Sequence, residues 1–231
     1  MYVEKYQYLS LNRDDSDSNC RYYSYNGSKK VPSVTSILEK TKSFEDTKAL
    51  ADWREFTGED KANKIVKESC DIGTIIHKNL EVWLKTNQLS TANNIIHKQA
   101  RILSNSIIKN GLPSVSEVWG IEVGLLCSEL YAGTTDCIGL HLNEPSIIDF
   151  KNARALRKPE QIKSYYKQIA AYAVAHNEQF GTNIKKGVIM LVCRGDKVIT
   201  DFGKYQEFII EGLEFQKAKD EWFRCVEEFY S

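Results

Sequence analysis

The six cysteines, Cys20, Cys70, Cys127, Cys137, Cys193 and Cys225, include no Cys-x-x-Cys pair. That scatter excludes the ligand spacing of a zinc ribbon, and no iron–sulfur cluster is expected. No apolar run is long enough to cross a bilayer, so no membrane association is expected either. The N-terminus, Met-Tyr-Val-Glu-Lys, has neither a secretory signal nor the Arg- and Ser-rich character of a transit peptide. A soluble intracellular protein with reduced thiols is expected, in the cytoplasm of a bacterium or of a virus-infected cell. Net charge is also missing, because 31 basic residues balance 31 acidic ones. A neutral total argues against a histone-like binder but leaves room for a nucleic-acid enzyme, where local charge decides. Repeats and low-complexity linkers are absent as well.

What is present fits one α/β domain spanning 1–231. Residues 1–112 read as a mainly helical part, preceded by tyrosine-rich loops around short strands. Ser33 or Thr35 can cap a helix over Ile37 to Lys40, and a helical pattern from Thr47 to Lys67 breaks near Gly58. A further helix is expected to open at Asp71-Ile-Gly-Thr74, and another to run from Thr91 to about Lys109. The core, 113–203, reads as three strands, Val115 to Leu126, Glu129 to Leu142 and Ser146 to Lys151, with turn residues at Asn143 to Pro145. A helix from Pro159 to about Glu178 follows. Strands at Gly187 to Arg194 and Lys197 to Phe202 then flank a Gly195-Asp196 turn. Residues 204–231 read as a C-terminal helix.

Within this frame Asp136, Asp149 and Lys151 stand out, in Gly133-Thr-Thr-Asp136 and Ile147-Ile-Asp149-Phe-Lys151. Alternation along a strand puts Asp149 and Lys151 on one side and Phe150 on the other. A carboxylate and an ammonium at a strand end suit metal-assisted phosphate chemistry. Taken alone, an Asp-x-Lys is more often a solvated strand face carrying a weak ion pair. Other features converge with it. Gly73 and His77 lie one helical turn apart, and Glu122 interrupts an apolar strand pattern. Gln168 and Tyr172 align four apart on a helix. A basic run of Arg154, Arg157, Lys158 and Lys163 begins beside Lys151 and faces a single acid, Glu160.

The ordered series Gly73…His77, Glu122, Gly133-x-x-Asp136, Asp149-x-Lys151, Gln168…Tyr172 resembles the PD-(D/E)XK nuclease superfamily in its RecB-like branch. Val34-Thr-Ser-Ile-Leu38, Trp53-Arg54, Tyr131-x-Gly133 and Gln168-x-Ala-Ala-Tyr172 resemble the group of the mitochondrial genome maintenance exonuclease and its phage and bacterial relatives. The targeting extension and the iron–sulfur cysteines found in parts of that branch are missing.

The resemblance implies a restriction-endonuclease-like core, with a central mixed sheet flanked by helices and an N-terminal helical region. It implies Mg²⁺ or Mn²⁺ held by Asp136 and Asp149, with His77, the Phe150 backbone carbonyl and Glu122 as further ligands. Lys151 would orient the attacking water, and Gln168 would orient the lysine or a metal-bound water. Tyr172 would contact the DNA or support the helix, and Arg154, Arg157, Lys158 and Lys163 would contact the substrate. The implied activity is a metal-dependent deoxyribonuclease, an exonuclease acting on single-stranded DNA ends in replication, recombination, repair or phage genome processing. Two alternatives stay open at this point: a structure-specific endonuclease of flap DNA or RNA, and a non-catalytic nucleic-acid-binding module.

Overall fold

The computed structural model describes residues 2–89, 91, 94–195 and 202–231. Three short strands, β1 (Asn12–Asp14), β2 (Tyr22–Ser24) and β3 (Val31–Pro32), form an antiparallel sheet. The chain then turns at Ser33, whose hydroxyl accepts from the Ser36 amide and caps α1 (Val34–Lys40). Ser43 caps α2 (Phe44–Thr57) in the same way, and Gly58, at φ +83°, ends it. The helix expected to open at Asp71 does not exist separately. Instead α3 runs unbroken over 28 residues (Glu59–Thr86). The reason is one inward face, with Ala62, Ile72, Ile76 and Leu80 buried and Ile65 and Ser69 half-buried between them, together with an ion pair from Lys67 to Asp71 across the expected break. Asn94 caps α4 (Ile95–Asn110), a few residues later than the expected start.

The core sheet begins with three antiparallel neighbours, β4 (Val115–Cys127), β5 (Tyr131–His141) and β6 (Glu144–Ala153). Leu142 and Asn143, both at positive φ, make the tight β5–β6 turn, as hairpin geometry requires. A 3₁₀ turn at Pro159–Gln161 leads into α5 (Lys163–Phe180). This helix crosses over the sheet and delivers β7 (Gly187–Cys193) parallel to β6.

The C-terminal region differs from the sequence expectation. Residues 196–201, which hold most of the expected Lys197 to Phe202 strand, lie outside the described residues. The partner of β7 is β8 (Tyr205–Ile210), in the segment expected to begin the final helix. Its aromatic and β-branched residues suit a strand, and β7, buried along its whole length, needs a partner on that side. Gly212, at φ +56°, then allows the turn into α6 (Gly212–Tyr230).

The sheet order is β4-β5-β6-β7-β8, with only the β6–β7 pair parallel. Strand alternation divides the core into two layers. Ile138, Ile147, Ile189 and Leu191 meet Ile37, Ile169 and Trp222 on the α1–α5–α6 side. Ile148, Phe150, Val188 and Met190 meet Ile76, Leu80, Leu103 and Ile107 on the α3–α4 side. The expected mixed sheet flanked by helices, in restriction-endonuclease-like form, is therefore borne out. Among the described residues, no helix is long and apolar enough to cross a membrane.

Candidate active site and metal centre

Pairing between β5 and β6 runs from His141–Glu144 to Cys137–Ile148, where the described register ends. Asp136 is the next residue of β5. Its Oδ2 accepts from the Phe150 amide at 2.8 Å, so a side chain takes the place of a strand carbonyl at this point. Alternation places Asp149 and Lys151 on the α5 side with Ile147, while Ile148 and Phe150 face α3 and α4. The Lys151 ammonium pairs directly with the Asp149 carboxylate, which is only 1 % exposed. Parallel pairing with β7 continues through Ala153, so the backbone carrying both residues is held in the sheet.

The opposite helix layer supplies His77. Its Nδ1 lies 3.3 Å from Asp136 Oδ1 and 3.7 Å from Glu122 Oε1. Glu122 reaches this point from β4, where the pairs Ile121–Cys137 and Val123–Thr135 set it across from Asp136. Its backbone sits at φ +52°, a left-handed conformation that a non-glycine residue rarely takes inside a strand. His77, Glu122 and Asp136 each offer a ligand atom, all within 4.8 Å of one another. Gly73, one turn before His77, lets α3 approach β6 closely: a Cβ there would stand 2.8 Å from Asn152 Nδ2.

Burial and charge oppose each other throughout the site. Burial pushes His77 down, but the Asp136 charge and hydrogen bonds to Asp136 and Glu122 raise it to about 10. Burial pushes Asp136 up, and the His77 charge outweighs it, helped by Lys151 and the Phe150 amide, leaving this carboxyl below its usual range. For Asp149 burial wins and lifts the carboxyl to about 6 against the pull of Lys151. Burial would lower Lys151, but the Asp149 and Asp136 charges hold it above its ordinary value. The two acids are thus set apart: Asp136 is firmly anionic, while Asp149 is poised between its two states. Glu122, Asp136 and His77 at this spacing form a donor set that fits a divalent cation, whose binding would displace the His77 proton.

The other residues singled out in the sequence divide. Gln168 Nε2 donates to Tyr172 OH at 3.4 Å, so these two do meet. Tyr172, however, is 3 % exposed and packs against Gly133, where a Cβ would come within 2.9 Å of its ring. Of the two roles expected for Tyr172, this packing between α5 and β5 fits support of the helix. The basic run does not form one patch. Arg154 lines a cleft of about 730 Å³ with Lys61, Gln99 and Leu103 beside α3 and α4. Lys163 lines another of about 730 Å³ with Thr35, Lys42, Tyr165 and Gln168, between α1 and α5. Arg157 has its backbone fastened to β8, its amide donating to Gln206 Oε1 at 2.7 Å. Lys158 is exposed in the same loop. At Phe150 the engaged group is the amide, which donates to Asp136.

Sequence reasoning missed Arg13 and Arg21. Both line a third cleft, of about 720 Å³, together with His77, Glu122 and Asn152. No local signal marks them, because they come from the small N-terminal sheet and reach the site only through the tertiary fold.

No family model matches the chain, and no curated protein matches it in sequence. Among solved structures it is similar to a candidate exonuclease from Eubacterium rectale, with 13% identity and a TM-score of 0.46 over 70% of this chain. The match spans 64% of that protein's length. It is also similar to a phage-related exonuclease from Haemophilus somnus, with 13% identity and a TM-score of 0.37, over 67% of this chain and 78% of that one. Likeness of this degree assigns no role to any residue, so the chemistry rests on the side chains.

Proposed function

We propose that the protein is a divalent-metal-dependent nuclease that hydrolyses phosphodiester bonds in DNA, acting as an exonuclease on single-stranded ends. The observation that carries this reading is the meeting of His77, Glu122 and Asp136 beside the buried Asp149–Lys151 pair, where β5 and β6 cease to pair. On this reading His77, Glu122, Asp136 and Asp149 hold the cation, Mg²⁺ or Mn²⁺, with the Phe150 carbonyl as a further ligand. A cation so held neutralises phosphate charge and supplies Lewis acidity to the reacting phosphate.

The remaining work falls to the chain. Lys151, kept cationic by Asp149 and Asp136, orients and polarises the water that attacks phosphorus. Asp149 anchors that ammonium and fixes its direction. Gln168 lies on the α5 side, where Lys151 also points, and orients the lysine. Burial of the Asp149–Lys151 pair strengthens the interaction between them.

The test is release of nucleotides from end-labelled single strands with Mg²⁺ or Mn²⁺. Asp149→Ala and Lys151→Ala are each expected to lose about a hundredfold or more in rate while still unfolding cooperatively. Full activity in either variant overturns the site. A closed single-stranded circle is expected to survive, and cutting of the circle overturns the exonuclease assignment.

A further inference from the structure

The cleft that opens onto His77 and Glu122 has a second wall, made by the N-terminal sheet. Arg13 lies in β1 and Arg21 directly precedes β2. One carboxylate joins them: Asp15 Oδ2 accepts from Arg13 Nε at 2.6 Å, and Asp15 Oδ1 accepts from Arg21 Nε at 2.8 Å. Each pair uses Nε, and a guanidinium has five N–H donors, more than one carboxylate oxygen can take.

Arg21 is also fixed through its backbone. Its amide donates to Ser36 Oγ at 2.8 Å and its carbonyl accepts from the Ser33 amide at 2.8 Å. It is thereby tied to the capped start of α1. The trio carries a net positive charge, and its two arginines border the same 720 Å³ cleft as His77 and Glu122. Lys78, also on the rim, is already paired with Glu81 at 2.7 Å.

An exposed Arg–Asp–Arg staple contributes little to stability, so holding two β1–β2 segments together is a weak reason for this arrangement. Recognition of phosphate is a better one. The planar fork of arginine matches phosphate oxygens bidentately, and a fork held from behind by Asp15 loses less freedom when it binds. A strand whose reacting phosphate lies at the carboxylate–histidine cluster must place neighbouring phosphates along the cleft walls. The opposite wall carries acids that repel them, whereas this wall carries two guanidiniums.

We propose that Arg13 and Arg21 form a clamp for a non-reacting phosphate of the nucleic-acid strand, with Asp15 as its positioning residue. This rests on the nuclease reading above. Its test is binding of fluorescent single-stranded oligonucleotides in EDTA, followed by anisotropy across a salt series. R13Q/R21Q is expected to weaken binding about tenfold and to make the slope of log K against log[salt] shallower by about 0.7, one phosphate at the single-strand value. R13K/R21K is expected to restore the slope, because it returns the charge.

Oligonucleotides with and without a terminal phosphate separate two sources of the anion. A loss on all of them assigns the clamp to a backbone phosphate, and a loss confined to phosphorylated ends assigns it to a terminal one. Mn²⁺ affinity and the urea midpoint of R13Q/R21Q are expected to equal those of the parent. Unchanged binding and slope overturn the clamp, as does a loss matched by an equal fall in Mn²⁺ affinity, which would mean a damaged site. A parent protein that neither binds nor cleaves nucleic acid overturns the nuclease reading itself, and the clamp falls with it.

Discussion

Asp149→Asn is expected to stabilise the metal-free protein above pH 6 while removing its chemistry. Burial lifts the Asp149 carboxyl from 3.8 to about 6, and a shift of that size corresponds to a free-energy difference on the order of 3 kcal/mol. The sign follows from proton counting. Between pH 3.8 and 6 the folded protein keeps a proton on Asp149 that the unfolded chain has released. Stability contributed by this group is therefore complete below 3.8 and lost as pH rises through about 6. Asparagine is isosteric and has no proton to lose. The pull of Lys151 on the carboxylate is already contained in that shift, because it acts only on the ionised form. Asparagine stands in for the protonated acid, so the two proteins are about equal at acid pH and separate as pH rises. Urea unfolding in EDTA, followed by the fluorescence of buried Trp119 and Trp222, reads it directly. The stability of Asp149→Asn relative to the parent should rise by about 3 kcal/mol between pH 3.5 and pH 8. Parallel curves, or a gap that narrows with pH, would refute the claim that burial dominates at Asp149.

Two further outcomes concern the frame of the site. A Cβ at Gly139 would stand 2.0 Å from the Glu117 carbonyl oxygen, across the bulged β4–β5 ladder. Gly139→Ala is thus expected to cost about 3 kcal/mol, seen as a fall in melting temperature of roughly 6–12 °C, and an unchanged melting temperature would refute it. His176 is buried between Tyr8 and Thr182, with Nδ1 2.8 Å from Thr182 Oγ1, and burial holds it down at about 4. Its folded value is depressed, so stability is full above 6.5 and falls on acidification toward 4, by on the order of 3 kcal/mol. A His176→Gln variant with the same acid sensitivity as the parent would exclude that cause.

Much of the frame of the candidate site was legible because it is local. Period-two alternation in Ile147 to Lys151 gives the facing of Asp149, Lys151 and Phe150, and Asn143 marks the hairpin turn. Other features depend on partners far away in the chain. Tyr205 to Ile210 contains residues that serve a strand or an amphipathic helix equally well, and only the unfilled edge of β7 decides between them. Asp71-Ile-Gly-Thr74 suggested a helix start, yet α3 runs through it, and Gly73 serves the close approach to Asn152. Tyr172 sits at a position suited to contacting a ligand, and only the bare backbone of Gly133 shows that its ring is enclosed. Arg13 lies in, and Arg21 just before, strands too short to leave a periodic signal.

Glu122 is the most instructive of these residues, because no propensity places a glutamate at φ +52° inside a strand. Such a conformation persists only where the surroundings over-determine it. Here ladder pairs on both sides, Ile121–Cys137 and Val123–Thr135, hold the backbone while the side chain turns toward His77. The same logic covers Asp136, which replaces a strand partner for the Phe150 amide, and Asp149 and Lys151, which are ionisable groups within the sheet core. Each departure is unfavourable by itself, and all of them lie where β4, β5, β6 and α3 converge. A solvated strand face would relax these features separately. Their coincidence at one point is what a cation and a phosphate require, and it is why relieving Asp149 should leave the protein more stable and less able to act.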